Sequence, residues 1–227
     1  MTEIDSLALF PLSDVVLLPE VSVPLYIFEP RYRQMIRDVL DGSHQIGMVA
    51  VRPDGVREMG GEPPIFDIGC VGRVAHAQER PDGTFQIMLL GESRFRILEE
   101  DDRTEQKRDQ LYRSARVELL SDPAPTTPGE IEDIKQSRNE LLELLEQLIH
   151  RVGTVEDPAQ TLDAFQKLEP VRLVNALTQS IGFSPIERQQ LLEADSVPGR
   201  FETMHELLRF RLAELGAGEL GSTSLPN

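Results

Sequence analysis

Four histidines and one cysteine are the residues with the most direct routes to catalysis or metal binding in this chain. Cys70 and His76 share the stretch DIGCVGRVAHAQ, which reads as a β-strand. A thiol served by an imidazole is the pairing of a cysteine nucleophile with its base. Even spacing puts both on one strand face. At 3.3 Å per residue, however, they stand about 20 Å apart, too far for proton transfer without a bend. Cys70 is therefore read as a small buried thiol. HELLR, at His205, opens like a zinc-binding helix, but Arg209 stands where the second histidine belongs. His44, His76 and His150 are scattered along the chain, so no metal set is expected. No Gly-Lys pair exists to build a phosphate-cradling loop, and no G-x-G-x-x-G follows a strand. GESRF begins like a nucleophile elbow at Gly91 but carries Phe95 in place of the second glycine. The acidic run EEDDR, residues 99–103, lacks the glycine-bearing loop of a calcium site and reads as a solvated turn. No catalytic residue, metal ligand or cofactor is assigned, and the chain is read as a non-enzyme.

Charge narrows the partners. The 227 residues carry a formal net charge of −16, with 23 Lys and Arg against 39 Asp and Glu. Only Lys107, Lys135 and Lys167 supply lysine. Binding to phosphate backbones depends on clustered basic side chains, so neither nucleic acid nor an anionic membrane is an expected partner. No apolar run reaches the roughly 18 residues of a membrane span. The acidic N-terminus MTEIDSLALFPL is unlike a secretory signal, and a single cysteine allows no intramolecular disulfide. A cytoplasmic protein is expected.

The elements that must position any site fall into two halves. Residues 1–120 read mostly as strands. LALFPL and VVLLP are apolar runs interrupted by Pro11 and Pro19. In VSVPLYIF, Val21, Val23, Leu25 and Ile27 share one face at period two. IGMVAV is followed by the turn-former RPDG, and IGCVGRVAHAQERPDGTFQIMLL reads as a long hairpin turning at Pro81-Asp82-Gly83. RFRIL and SARVELL read as further strands. Many short strands with frequent glycines point to a barrel-like or folded-over sheet. One helix interrupts it. Pro30 suits the first helical position, and Tyr32, Met35, Ile36, Val39 and Leu40 form its apolar stripe. Gly42 is the expected C-terminal cap. Arg31, Arg33 and Arg37 fall on the outer side.

Residues 121–129 read as a Pro- and Thr-rich linker, residues 130–216 as an all-helical bundle, and residues 217–227 as a flexible tail. Three starts share one grammar, a cap, a proline and a Glu or Gln at the box position: Thr127-Pro128…Glu130, Asp157-Pro158…Gln160 and Ser184-Pro185…Glu187. The first of these helices carries an apolar seam through Ile131, Ile134, Leu141, Leu145, Leu148 and Val152, interrupted by Arg138. It suits an intramolecular bundle or a dimer seam.

Three segments in order, LALFPLSDVVLLP, VPLYIFEPRYRQMI and PDGTFQIMLLGESRFRIL, resemble the N-terminal substrate-binding domain of the bacterial ATP-dependent Lon proteases. SPIERQQLLEADSVPGRFETMHELL resembles the helical end of that region. The resemblance implies an α+β fold: a β-rich, PUA-like pseudo-barrel with one inserted helix, followed by an all-α helical bundle. It implies a non-catalytic module that binds unfolded or flexible polypeptides within a protease system. No Walker motif and no Ser–Lys peptidase dyad is seen, so a free-standing domain that is neither ATPase nor protease is expected. The alternative, drawn from other PUA-like barrels, is a small-ligand or RNA-binding protein. Two positions depart from the family: Pro19-Glu20 where a Pro-Gly pair is common, and Tyr26 where a histidine is common. Glu29, Arg31, Arg33, Arg94 and Arg96 lie in the most family-like segments. They either pair with one another to anchor helix to sheet or line a groove for unfolded peptide.

Overall fold

The computed structural model of the chain describes residues 2–58, 61–101, 109–122 and 125–222. The chain divides into two compact units: Met1–Ser121 with Gly182–Leu192, and Asp122–Ile181 with Glu193–Asn227.

The first unit is a six-stranded sheet that closes on itself. β1 (Glu3–Leu12) runs parallel to β3 (Gln45–Ala50). β3 is antiparallel to β4 (Ile68–Glu79), and β4 to β5 (Phe85–Glu100). β6 (Ser114–Leu120) joins β5 to β1 and completes a ring of five strands. The sixth strand, β2 (Ser22–Ile27), pairs with the first half of β5 and with no other described strand. One apolar cluster draws on every strand of the ring, through Leu7, Leu9, Val49, Val71, Phe95 and Val117. A larger one brings Phe10, Ile27, Ile46 and Leu89 against Tyr32, Met35 and Ile36 of α1 (Pro30–Leu40). Among the described residues, closure pairs much of the ring on both sides, while β2 pairs on one side only.

Several local expectations are revised. VVLLP is not a strand. It is irregular backbone whose Val16, Leu17 and Leu18 are nevertheless fully buried. FQIMLL and RFRIL are not separate strands but one, because Gly91 lets β5 pass under the Leu18 carbonyl, where a Cβ would sit 2.1 Å from that oxygen. RPDG opens a 3-10 helix (Pro53–Glu58) instead of a tight turn. α1 is capped by Asp41, and the left-handed residue that follows is His44 (φ 58), not Gly42.

The second unit is helical: α2 (Pro128–Val152), α3 (Pro158–Gln166), α4 (Pro170–Ser180) and α6 (Val197–Ser222). α2 packs along α6, with α3 and α4 beside them. The capping grammar is present as read. Thr127 accepts from the Glu130 amide in a full capping box, and Asp157 accepts from the Gln160 amide. Ser184 and Glu187 bond reciprocally at the start of α5 (Pro185–Glu193). In α2 the middle of the apolar seam is buried, but its ends, Ile131 and Val152, are exposed. His205 is buried and its Nε2 bonds the Ser137 carbonyl, a packing role and not a zinc ligand's. Arg200 is buried against Asp122 at 2.5 Å.

The division into units departs from the expected one at α5. Residues 182–192 cluster with the strands, since Leu192 belongs to the larger sheet core and Gln189 donates to the Ile68 carbonyl. α6 continues through Gly216 to Ser222, and residues 223–227 of the expected tail lie outside the described residues. No helix among the described residues is long and apolar enough to cross a membrane.

Candidate functional site

The strand-to-helix handover at Glu29-Pro30 sets the geometry of the site. β2 alternates as its sequence predicts: Ile27 is in the core, Val23 and Leu25 are half-buried, and Ser22, Pro24 and Tyr26 face outward. The outward parity is where the structure places unexpected apolar bulk. Tyr26 is 48% exposed and Phe28 is 61% exposed, and their rings stack with centroids 6.1 Å apart. Met88 of β5, the cross-strand partner of Pro24, adds a third exposed apolar side chain. The guanidinium of Arg80 lies over the Tyr26 ring, 5.4 Å from its centroid. Aromatic and Met side chains are the residue types that adapt to varied apolar partners. Tyr26 lies on β2, Phe28 just beyond it and Met88 on the neighbouring β5; β2 has an open edge, where an extended peptide adds by backbone pairing.

The five residues singled out from sequence are distributed over two places. Glu29 and Arg31 form an ion pair at 2.9 Å at the start of α1, and Arg31 also donates to the Gly61 carbonyl and covers the Tyr32 ring. Arg33 lies two residues on, its Nη2 packed on Gly83 of the β4–β5 turn. Arg94 and Arg96 are on the second half of β5. Arg94 is 2% exposed and donates from Nη1 to the Leu192 carbonyl at 3.1 Å, so a peptide arriving from solvent does not reach it. Arg96 is half-exposed and stands 4.0 Å from Glu118 on β6.

The nucleophile–base pairing raised by Cys70 and His76 does not form. Register shifts in β4, one of them between Val74 and His76, break the simple alternation. Cys70 ends in the core and His76 on the outside, opposite Met88. Burial pushes the Cys70 thiol far above its ordinary range. The acidic run is committed to structure. Glu99 pairs with Arg116, Glu100 with Arg113, and Asp101 accepts from Ser6 and Ser114; Asp102 and Arg103 lie outside the described residues.

Tyr26, noted from sequence only as a departure from the family pattern, was not named there as a binding residue, nor were Phe28 and Met88. The signal was present in the period-two reading: with Val21, Val23, Leu25 and Ile27 inward, two aromatics are left on the solvent parity.

A ring of strands with one appended edge strand and an inserted helix, together with a helical unit, is an α+β fold, β-rich at first and then helical. Comparison with known proteins places it further. Residues 6–209 match the family of the ATP-dependent protease La (LON) substrate-binding domain, and the chain belongs to that family. Among curated proteins it is 26% identical over 212 residues to Lon protease 2 of Desulfotalea psychrophila, and 26% identical over 222 residues to a Lon protease of Parabacteroides distasonis. The match covers 91% and 94% of this chain but 26% and 25% of those proteins, so the chain spans about a quarter of their length. Among solved structures, the Lon N-terminal domain protein from Xanthomonas campestris is similar at 25% identity with a TM-score of 0.61, covering 91% of this chain and 99% of that one. The N-terminal domain of Mycobacterium avium complex Lon protease shares the fold at 19% identity, with a TM-score of 0.66 over 90% of this chain and 98% of that one.

Proposed function

We propose that this protein is a non-catalytic module that holds unfolded or flexible polypeptide segments on the face formed by Pro24, Tyr26, Phe28 and Met88. The observation that carries the reading is the stacked, exposed Tyr26–Phe28 pair at the end of β2, a strand with an open edge. Large apolar side chains left together in water mark interaction surfaces. An extended segment gains there twice, by burying its apolar side chains against the rings and by pairing its backbone with β2. The family description, a substrate-binding domain, supports a polypeptide partner. The net charge of −16 speaks against RNA as the alternative.

Fluorescence anisotropy with a panel of labelled, unstructured polypeptides tests this. Binding in the micromolar range, weakened in a Tyr26→Ala, Phe28→Ala variant of unchanged melting temperature, is the expected result. No binding at high micromolar concentration overturns it.

A further inference from the structure

We propose, resting on the reading above, that the segment held on this face carries an acidic residue beside its apolar ones, and that Arg33 receives the carboxylate.

Three arginines of α1 sit in the same region, and two are already engaged. Arg31 pairs with Glu29 at 2.9 Å, and Arg37 pairs with Glu79 at 2.7 Å. Arg33 is different. It is half-buried, its Nε is closed off from solvent without a hydrogen-bond acceptor, and among the described residues no carboxylate lies within ion-pair distance of its guanidinium. The buried Nε–H of Arg33 has lost water without gaining an acceptor, which is unfavourable, while its terminal N–H groups are not closed off. A carboxylate delivered by a ligand meets the terminal N–H groups in a charge-assisted contact.

Position connects Arg33 to the apolar face. Its Nη2 rests on Gly83, so closely that a Cβ there would lie 2.1 Å away. Gly83 belongs to the turn that Arg80 opens, with the Gly83 amide donating to the Arg80 carbonyl. Arg80 in turn covers Tyr26. Of the nearby carboxylates, Glu79 goes to Arg37, while Asp82, held ionised by accepting from the Thr84 amide and hydroxyl, keeps its negative charge near Arg80 and offsets one of the two arginines. In a chain with 16 excess negative charges, this rim of Arg33 and Arg80 is a local reversal of sign. It complements an apolar segment flanked by Glu or Asp and opposes one flanked by Lys.

The experiment uses the full chain and three labelled peptides with one apolar core, flanked by Glu, Gln or Lys. The Glu peptide is expected to bind about tenfold tighter than the Gln peptide, the effect of one charged hydrogen-bonded contact. The preference is expected to shrink in 0.5 M salt, to vanish in Arg33→Gln, and to turn toward the Lys peptide in Arg33→Glu. Equal binding of the Glu and Gln peptides to the unaltered protein overturns acid recognition while apolar docking stands, and that comparison needs no variant to fold. Failure of all three peptides to bind overturns both. If sedimentation shows a dimer that Phe28→Ala dissolves and no peptide displaces, the occupant is a second copy and the proposal fails.

Discussion

Arg94 Nη1 donates to the Leu192 carbonyl oxygen at 3.1 Å, tying the end of α5 to the middle of β5 across 98 residues of sequence. Both partners are buried, and Leu192 lies in the sheet core. Arg94→Met therefore removes a charged donor from a closed site. It should destabilise the first unit by about 2–4 kcal/mol, as expected when a buried hydrogen-bonded charge is lost. Peptide affinity of the remaining folded protein should be unchanged. Denaturant unfolding paired with the anisotropy assay checks both, and a stable variant that no longer binds would reassign Arg94 to the binding surface.

Phe28 and Tyr26 should show the opposite pattern. Their rings already face water, so truncation forfeits little folding energy. Binding should fall by about tenfold or more, in the range lost when an aromatic anchor is removed from an interface. Equal affinities for the variant and the unaltered protein would move the binding site elsewhere.

Gly91 should tolerate nothing larger. The Leu18 carbonyl oxygen lies where its Cβ would be, and this is backbone, which cannot step aside as a side chain does. Gly91→Ala should cost about 2–3 kcal/mol, as steric overpacking does. Thermal melting reads the loss directly.

Glu20 is held at φ 63, in the left-handed region that favours glycine, and its amide donates to the Gly91 carbonyl. This is the position where the Lon family commonly carries the glycine of a Pro-Gly pair. Glu20→Gly relieves the Cβ conflict but loosens the unfolded chain, so a net gain of up to about 1 kcal/mol is expected. Glu20→Val, β-branched at the same φ, should be clearly destabilising in the same melting experiment.

High pH should unfold the first unit. Burial raises the Cys70 thiol and the Tyr32 phenol, and burial with the bond to Asp38 raises Tyr112. All three are held protonated in the folded state beyond the pH at which the unfolded chain ionises. Their stabilisation is complete below the ordinary values, about 8.5 for a thiol and 10 for a phenol, and is lost as pH rises above them. Midpoints of urea unfolding measured from pH 8 to 11 should fall steadily. Under native conditions at pH 7–8 the thiol should resist labelling, and stoichiometric labelling within minutes would contradict its burial.

Much of this molecule was written in local chemistry. Period-two spacing gave the inward face of β2, Pro30 gave the start of α1, and Thr127, Asp157 and Ser184 gave three helix starts, because strand parity and caps depend on residues within a few positions of one another. Even the outward placement of Tyr26 and Phe28 followed from parity once the inward residues were known. What the tertiary structure decided lies between distant segments. The parallel pairing of β1 with β3, the single span of β5 through Gly91, the transfer of α5 to the strands and the burial of Arg94 all depend on a partner many residues away. So does the setting of Arg33: its type and helix position were legible, but the pairing of Glu29 with Arg31 and of Glu79 with Arg37 was decided as the sheet closed. Local propensity acts through neighbours in sequence, whereas burial and charge pairing act through neighbours in space.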